Sequence, residues 1–598
     1  MFRPLAASES GRWSRRDVAA LSVMLAAGLA VRWQGFGGSE GSDDLAYAQR
    51  AIALARGEYT PSLYVFDARL ALWTPLVLLY RWFGVHDLTT SLLPLLTGLG
   101  TVVLITLLGR RLYDARTGWI AGILYAALPI DAHLSTVLLP EGPLSFWIAL
   151  AALLMLQASG SASLRRRQVL ALAAGFSFGL AWLTKESCIY AATALLLAWL
   201  WHGERQKSAF AATVAGLALV IAAEMVFYAY LQLTPFFRWR AMENTYEVSA
   251  QWFLPAWPTP TDLIWRWCVN VWLTLLTVPG FGGLFWLALP AMMVLCLQAV
   301  RVADAREARF LVMWFGILLL LFMFGSTSLR EYRPLIMTPR YLALLNVPAT
   351  LLAAAWFRNS ATPMGWMSRH GRGLWIAGIL PLALVLLASS TAPDKLLALA
   401  RAAYGVIGEP RGQWSDFLMR MREYLPHPLR VVLFAGIAWS VATLGSSRRW
   451  QVGLLILLTA VHISMVKRSP LGAAEQRAAA FLADHPEHRV LSDSRTAQVL
   501  DYLTGFHHSA RFLEWPNSLQ APANAQVHMN TAFRPPSRAR SVVTGDWIVL
   551  NPTRCRFLQK AYGYPLPAAI GAPRAGLRPI YSVGDQIAVF EAEKPMEW

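Results

Sequence analysis

The chain has 598 residues, of which 56% are hydrophobic and only 15% are charged, and its mean hydropathy is +0.42. A soluble protein of this length could not bury so much apolar surface, so the composition excludes that class and predicts a polytopic α-helical membrane protein. The formal net charge of +18 would suggest nucleic-acid binding in a soluble protein, but the cytoplasmic loops of membrane proteins also collect Lys and Arg. We therefore expect no nucleic-acid partner.

Thirteen apolar runs have the length that crosses a bilayer, about 17 to 25 residues. They lie near residues 17–33, 88–109, 117–134, 143–158, 168–184, 187–201, 208–231, 271–299, 310–325, 341–357, 373–390, 429–444 and 451–466. The short loops on the side of the N-terminus are much richer in Lys and Arg than the loops on the other side. This asymmetry predicts a multi-pass protein of the bacterial inner membrane with a cytoplasmic N-terminus and a periplasmic C-terminus.

The predicted loops differ in length between the two sides of the membrane. All the long connections, at 34–87, 232–270 and 391–428, fall on the outer face, where loops that carry function are expected. We predict a transmembrane catalytic domain over residues 1–470, with interfacial helices in its first periplasmic loop. Helical patterns, with strands predicted at "RVLSD", "DWIVLN" and "QIAVFEA", indicate a small periplasmic α/β domain over residues 471–598.

Two adjacent acids, Asp43 and Asp44, follow the first span in "SDDLAYAQRA". Ser42 is a favourable N-cap, and the apolar residues that follow recur at helical spacing, which predicts an amphipathic helix along the outer interface. Acids in a first turn complement the helix dipole, so a purely structural role is one interpretation. A cap needs only one acid, however, and this favours a functional role for the pair as the alternative.

Two further charged segments are held at the same outer boundary. Glu141 occupies a short turn before the fourth span in "LLPEGPLSFW", where it is either a helix cap or a functional carboxylate. Lys185 and Glu186 lie between the fifth and sixth spans in "LTKESCIY". Lys185 could hold a phosphate as a point charge, and a self-compensating Lys–Glu pair is the alternative.

Arginines also gather on the outer face, against the usual charge trend. Arg330, Arg333 and Arg340 precede the tenth span in "SLREYRPLIMTPRYLALL", where a phosphate would suit their bidentate geometry and lipid headgroups are the alternative anion. Glu224 lies inside the seventh span, and the sequence indicates no role for it. Carboxylates and cations at one boundary suit transfer of a group from a phospholipid carrier to a hydroxyl acceptor.

These segments resemble the GT-C class of glycosyltransferases, which use lipid-linked sugars and include the protein O-mannosyltransferases and the aminoarabinose transferases that modify lipid A. "SDDLAYAQRA" resembles their Asp-Asp/Glu-x-x-Tyr stretch, "LTKES" their Leu-Thr-Lys segment, "PRYLALLNVPATLLAA" their Arg-Tyr-rich entry to a late span, and "LLPEGPLSFWIALAALLML" their acidic turn. The likeness covers most of residues 1–360. The thirteen-span layout is most similar to the aminoarabinose-transferase-like branch.

The resemblance implies roles for individual residues. Asp43 would be the general base, Asp44 and Glu141 supporting acids, and Lys185 and Arg340 contacts of a polyprenyl phosphate. The supporting acids would bind either substrate or a divalent cation, and no other cofactor is expected. Many relatives have Glu in place of Asp44 and Asp in place of Glu141, and the C-terminal domain offers no comparable match.

We therefore predict a membrane glycosyltransferase that moves a sugar from a polyprenyl-phosphate-linked donor to a glycolipid, polysaccharide or protein acceptor. A transporter or flippase of lipid-linked glycans is the main alternative, although it would favour an internal repeat and charges deeper in the spans. A scaffold whose outer domain binds cell-envelope partners is a third hypothesis. The sequence leaves the sugar and the acceptor open.

Overall fold

The computed structural model describes most of the chain, with several gaps. The described residues are 14–41, 43–201, 207–253, 267, 271–301, 305–326, 332, 335, 338–359, 448–466, 473–507, 509–514, 541–551, 576–583 and 586–595. The predicted spans 373–390 and 429–444 and the predicted outer loop 391–428 lie outside these residues.

Helices account for nearly all of the described chain before residue 470. They are α1 (Arg15–Gln34), α2 (Asp43–Ala55), α3 (Leu70–Phe83), α4 (Asp87–Leu112), α5 (Ala115–Ala126), α6 (Pro129–Leu134), α7 (Glu141–Ser159), α8 (Leu164–Thr184), α9 (Cys188–Trp201), α10 (Lys207–Tyr230), α11 (Phe237–Phe253), α12 (Val271–Thr277), α13 (Leu284–Arg301), α14 (Arg306–Phe324), α15 (Pro339–Leu342), α16 (Asn346–Asn359) and α17 (Arg448–Met465). Among the described residues, five helical segments are long and apolar enough to cross a membrane: Asp87–Leu112, Glu141–Ser159, Ser208–Tyr230, Arg306–Phe324 and Pro339–Phe357.

Two of the predicted spans are broken rather than continuous. The run 117–134 divides into α5 and α6, and the run 271–299 divides into α12 and α13 with a short 3-10 turn between them. Pro129 is the first residue of α6, and Pro279 is the first residue of the 3-10 turn. Proline lacks a backbone N–H and disfavours helical geometry in the residue before it, so each helix ends ahead of its proline.

Glycines set the distance between the helices that pack most closely. A Cβ added to Gly175 in α8 would lie 2.0 Å from the carbonyl oxygen of Thr213, and one added to Gly216 in α10 would lie 2.2 Å from that of Leu172. Small residues allow helix backbones to approach in membranes, where packing replaces the hydrophobic effect as the driving force. Helices α8 and α10 therefore pack with their backbones in close contact.

The loop predicted over 34–87 contains α2, a 3-10 turn at Val65–Ala68, and α3. Helix α2 is enclosed rather than half exposed, since Leu45, Tyr47 and Ala48 have no exposed surface. Part of its cover comes from the C-terminal domain, because Tyr502 and Phe506 belong to the same apolar cluster.

The C-terminal domain contains a five-stranded mixed sheet. Its strands are β1 (Val490–Ser492), β2 (Phe512–Glu514), β3 (Trp547–Leu550), β4 (Leu577–Val583) and β5 (Ile587–Ala592), and its helices are α18 (Ala473–Ala483) and α19 (Ser494–Leu503). The strand order is β2-β1-β3-β5-β4, with β1 parallel to both neighbours and β5 antiparallel to both of its own. The sequence predicted β1, β3 and β5. It missed β2, which has three residues, and the edge strand β4, whose register shifts next to Pro579.

Asp501 in α19 provides a test of this domain. Burial raises the pKa of its carboxyl from 3.8 to about 6, against opposing effects of Ser509 and Arg56. The folded domain therefore holds the proton more tightly than the unfolded chain, and its stability falls as the pH rises from about 4 to 6. We expect Asp501→Asn to flatten this part of the melting-temperature profile and to raise the melting temperature at pH 7.

The exposed Asp484 of the same domain supplies a matched control. Asp484→Asn should leave the slope between pH 4 and 6 unchanged. Equal slopes in the wild type and in Asp501→Asn would contradict this account of Asp501.

Candidate active site

Asp43 and Asp44 begin α2, and their side chains point in different directions because successive helical residues are rotated by about 100°. The Oδ2 atom of Asp44 accepts hydrogen bonds from Ser39 Oγ (2.9 Å) and from the backbone N–H groups of Glu40 (2.8 Å) and Gly41 (3.3 Å). Asp44 is buried and braces the preceding loop. The Asp43 side chain is 22% exposed and faces the opposite cluster of charges. Ser42, the predicted N-cap, lies outside the described residues.

Four charged side chains join into one chain of contacts. Arg340 donates from Nη2 to Asp43 Oδ2 (2.5 Å) and places Nε 3.5 Å from Glu141 Oε1. The same Glu141 oxygen accepts a hydrogen bond from Lys185 Nζ at 2.7 Å. The order is therefore Asp43, Arg340, Glu141 and Lys185, with acids and cations alternating. The structure thus brings together four of the residues that the sequence singled out.

Exposure divides this chain into a deep end and an open end. The side chains of Lys185 and Glu141 are only 4% and 2% exposed. Arg340, at 28%, shares the open end with Asp43. The Tyr341 ring lies against both cations, with Lys185 Nζ 3.7 Å and Arg340 Cζ 5.1 Å from its centroid, a geometry that favours cation–π attraction. A solute would reach the Asp43–Arg340 pair first.

The two carboxylate oxygens of Glu141 differ in their hydrogen bonding. Its Oε2 atom is buried and has no hydrogen-bond partner among the described residues, whereas Oε1 is held by Lys185. A buried acceptor without a partner costs free energy, so such atoms tend to receive a ligand group or a water.

Glu186 is held by a separate set of partners. Arg69 forms a bidentate pair with it, from Nε to Oε2 (3.2 Å) and from Nη2 to Oε1 (2.7 Å), and also donates from Nη1 to the hydroxyl of Tyr47. Burial opposes ionisation of Glu186, but the charge and hydrogen bonds of Arg69, with the charge of Lys185, lower its pKa to about 2. Lys185 and Glu186 thus have different partners. Helix α2 is connected to Glu186 by Tyr47 through Arg69, and to Lys185 by Asp43 through Arg340 and Glu141.

Glu224, whose role the sequence left open, is the centre of a second group of buried polar contacts. It accepts hydrogen bonds from Arg238 Nε (2.6 Å), Trp182 Nε1 (3.0 Å) and the Tyr228 hydroxyl (3.0 Å). Arg238 also donates to the carbonyl oxygen of Ala68, next to Arg69. The Glu224 carboxylate therefore has a structural role, and through Arg238 it helps to hold the segment that carries Arg69.

Two further arginines and a divalent cation were also considered for this site. Arg330 and Arg333 lie outside the described residues. Among the residues that the structure does describe, no group of three or more His, Cys, Asp or Glu side chains could hold a metal ion. Asp44 is turned to the loop amides and Glu141 to Lys185, so the three acids do not converge on a shared cation.

Sequence reasoning missed Arg69, Tyr47 and Tyr341 as members of the site. A signal for Arg69 was present, because it is an arginine in a predicted outer loop, the same departure from the charge trend that drew attention to Arg340. The two tyrosines also had a signal, because Tyr47 ends the Asp-Asp/Glu-x-x-Tyr stretch and Tyr341 follows Arg340 in the Arg-Tyr-rich segment.

The fold is similar to that of GT-C membrane glycosyltransferases, and the long apolar helices among the described residues are those of a multi-pass membrane protein. The structure is similar to ArnT from Cupriavidus metallidurans in the apo state, with 17% sequence identity, a TM-score of 0.52, and coverage of 96% of this chain and 97% of that chain. It is also similar to that ArnT bound to undecaprenyl phosphate, with 15% identity, a TM-score of 0.51 and the same coverage.

At the sequence level, residues 79–203 match the model of the dolichyl-phosphate-mannose-protein mannosyltransferase family. The matched segment contains Glu141, Lys185 and Glu186, and it does not reach Asp43 or Arg340. No curated protein matches the chain. The resemblance predicted from the sequence is confirmed.

The Arg69–Glu186 pair can be tested by removing one partner. Arg69→Met leaves a buried carboxylate without its cation, and we expect this to lower the free energy of unfolding by about 3–5 kcal/mol. The double variant with Glu186→Gln should lose less, because no unpaired charge is left. Since the pKa of Glu186 is depressed in the folded protein, the contribution of the pair should be lost as the pH falls from 4.5 toward about 2.

Denaturant unfolding in detergent micelles measures both variants. Arg81, an exposed arginine in the last turn of α3, provides the control. Arg81→Met should change the free energy of unfolding by no more than about 0.5 kcal/mol. A similar small loss for Arg69→Met would show that the pair is dispensable.

Proposed function

We propose that the protein transfers a sugar from a polyprenyl-phosphate-linked donor to an acceptor hydroxyl at the periplasmic face of the bacterial inner membrane. The acceptor is a glycolipid, a polysaccharide or a protein. The observation that carries the proposal is the partly exposed Asp43–Arg340 pair at the open end of a charged chain whose other end is buried. In the proposal, this carboxylate is the base and the neighbouring guanidinium receives the donor phosphate.

The proposed reaction needs one base and a stabilised leaving group. Asp43 takes the proton from the acceptor hydroxyl as the hydroxyl oxygen bonds to the anomeric carbon of the donor sugar. The bond between that carbon and the phosphate oxygen breaks, and its electron pair leaves with the polyprenyl phosphate. Arg340 and Lys185 stabilise the negative charge that grows on the phosphate.

In this mechanism the donor phosphate removes one hydrogen-bond donor from the base. Arg340 donates to Asp43 in the structure, and the donor phosphate is a competing anion that also suits a guanidinium fork. When Arg340 turns to the phosphate, Asp43 loses a hydrogen-bond donor and is available to accept the acceptor proton. Lys185, fixed by Glu141, stays in place as a buried point charge.

The two supporting acids take distinct parts in the proposal. Asp44 shapes the loop before Asp43 and contacts no substrate. Glu141 orients Lys185 with one oxygen and offers the other to a hydroxyl of the donor, an assignment supported by its unpartnered Oε2 atom. The substrate alternative from the sequence is therefore preferred to a divalent cation for Glu141.

Two observations outside the site support the donor class and the location. The ArnT of similar fold was crystallised with undecaprenyl phosphate, a polyprenyl phosphate. The charge asymmetry of the loops supports the predicted orientation, with Asp43 on the periplasmic side. Arg330 and Arg333 are kept in the proposal as further phosphate ligands.

Asp43→Asn tests the base. The amide keeps the shape and a hydrogen-bond acceptor but cannot take the proton, so we expect kcat to fall by about 10²- to 10⁴-fold. The assay uses purified protein in micelles, a radiolabelled polyprenyl-phospho-sugar and extracted envelope acceptors. The control is the identical change at the exposed Asp484, which should keep full activity. Near-normal transfer by Asp43→Asn would exclude Asp43 as the base.

Reconstituted protein also separates transfer from transport. A glycosyltransferase forms a new covalent product in liposomes, whereas a flippase would move the lipid-linked sugar between leaflets with no product. Movement without covalent transfer would overturn the proposed function.

Arg340→Gln tests the phosphate contact. Hydrogen bonds to charged groups contribute about 1.5–3 kcal/mol, so the Kd for a polyprenyl phosphate should increase by about 10- to 100-fold. Arg340→Lys keeps the charge without the fork and should give an intermediate Kd. The matching polyprenol, which lacks the phosphate, should bind all three proteins alike. An unchanged Kd for the phosphate would contradict the assignment.

A further inference from the structure

The Asp87 carboxylate joins three parts of the chain that are far apart in sequence. Its Oδ1 atom accepts hydrogen bonds from the backbone N–H of Ser39 (3.2 Å) and from the Tyr502 hydroxyl (3.1 Å), and its Oδ2 atom accepts one from Gln476 Nε2 (2.7 Å). Ser39 belongs to the loop before Asp43, whereas Gln476 and Tyr502 belong to the C-terminal domain. Asp87 itself begins α4.

The C-terminal side of this junction is well anchored. Tyr502 is buried, and its hydroxyl also lies 2.8 Å from Thr90 Oγ1, which in turn lies 2.8 Å from the Tyr80 hydroxyl. Its ring belongs to the apolar cluster that covers α2. Arg56, just after α2, donates to the carbonyl oxygen of Phe506 at 2.6 Å, so the domain also holds the C-terminal end of this helix directly.

The loop side is tightly constrained as well. Gly38 has a φ of +64°, and a Cβ at this position would lie 2.9 Å from Asp87 Oδ2. The glycine therefore allows the backbone to approach the carboxylate. Ser39 connects Asp87 to the start of α2, because its backbone N–H donates to Asp87 and its hydroxyl donates to Asp44, the neighbour of Asp43.

We propose that the C-terminal domain positions the catalytic base: through Asp87, Tyr502 and Gln476 fix the loop 38–41 and thereby the direction of Asp43. This inference rests on the proposed function, since it assigns the domain a part in the same reaction. Tyr502 and Gln476 are positioning residues that do not touch substrate. A catalytic group displaced by about 1 Å can lose roughly 100-fold in rate, so a loop held by few contacts is a sensitive point.

The test is the double variant Tyr502→Phe with Gln476→Ala in the full-length protein. Both substitutions remove hydrogen bonds to Asp87 and keep the Tyr502 ring packing. We expect faster hydrogen exchange in a peptide that covers residues 36–45, and a kcat that falls by about 10- to 100-fold with little change in KM for the donor. The Kd for undecaprenyl phosphate should stay the same, because the phosphate ligands are not altered.

Tyr581→Phe is the matched control, since Tyr581 lies on β4 of the same domain and stacks on Phe481. It should change neither the exchange of residues 36–45 nor kcat. Gly38→Ala approaches the contact from the loop side and should have the same two effects as the double variant.

Unchanged exchange in the double variant would overturn the inference, and so would faster exchange with an unchanged kcat. A fall in kcat accompanied by an equal loss of undecaprenyl phosphate binding would also overturn it, because general damage to the site would then be the cause. A wild-type protein without transfer activity would instead overturn the proposed function, and the exchange measurement would still decide whether the domain holds the loop.

Discussion

The geometry of the site depends on two adjacent charges of opposite sign at the turn after α8. Lys185 and Glu186 are both buried, and a buried charge is tolerated only when it is paired and hydrogen-bonded. Each therefore requires its own partner, Glu141 at the start of α7 for one and Arg69 before α3 for the other. Because Lys185 and Glu186 are adjacent in the backbone, their two ion pairs fix the start of α7 and the segment before α3 relative to each other.

These ion pairs also position helix α2. Tyr47 accepts a hydrogen bond from Arg69, the partner of Glu186, and Asp43 accepts one from Arg340, which contacts the partner of Lys185. Two residues one turn apart on α2 are thus connected to Glu186 and to Lys185. Desolvation makes the deep pairs costly and hard to rearrange, whereas partly exposed pairs are screened and exchange partners more easily. The site thus combines a fixed interior with one pair that a ligand can open.

Local patterns in the sequence predicted much of the fold and the four members of the charged chain. Hydropathy located the five long apolar helices among the described residues, and charges at span ends drew attention to Asp43, Glu141, Lys185 and Arg340. The breaks at Pro129 and Pro279 could have been read from the prolines themselves. The pairings could not be predicted, because Arg69 and Glu186 are 117 positions apart and Tyr502 and Asp87 are 415 apart, and no periodicity connects such residues.

The great separation between Tyr502 and Asp87 has a consequence for biosynthesis. Asp87 and the loop beside it are made early, but their hydrogen-bond partners in the C-terminal domain are made only after residue 470. A nascent chain can insert its spans and form the buried ion pairs while the loop still lacks these contacts. The loop can make these contacts only after the C-terminal domain has been synthesised and has folded, so this part of the site is assembled late in biosynthesis.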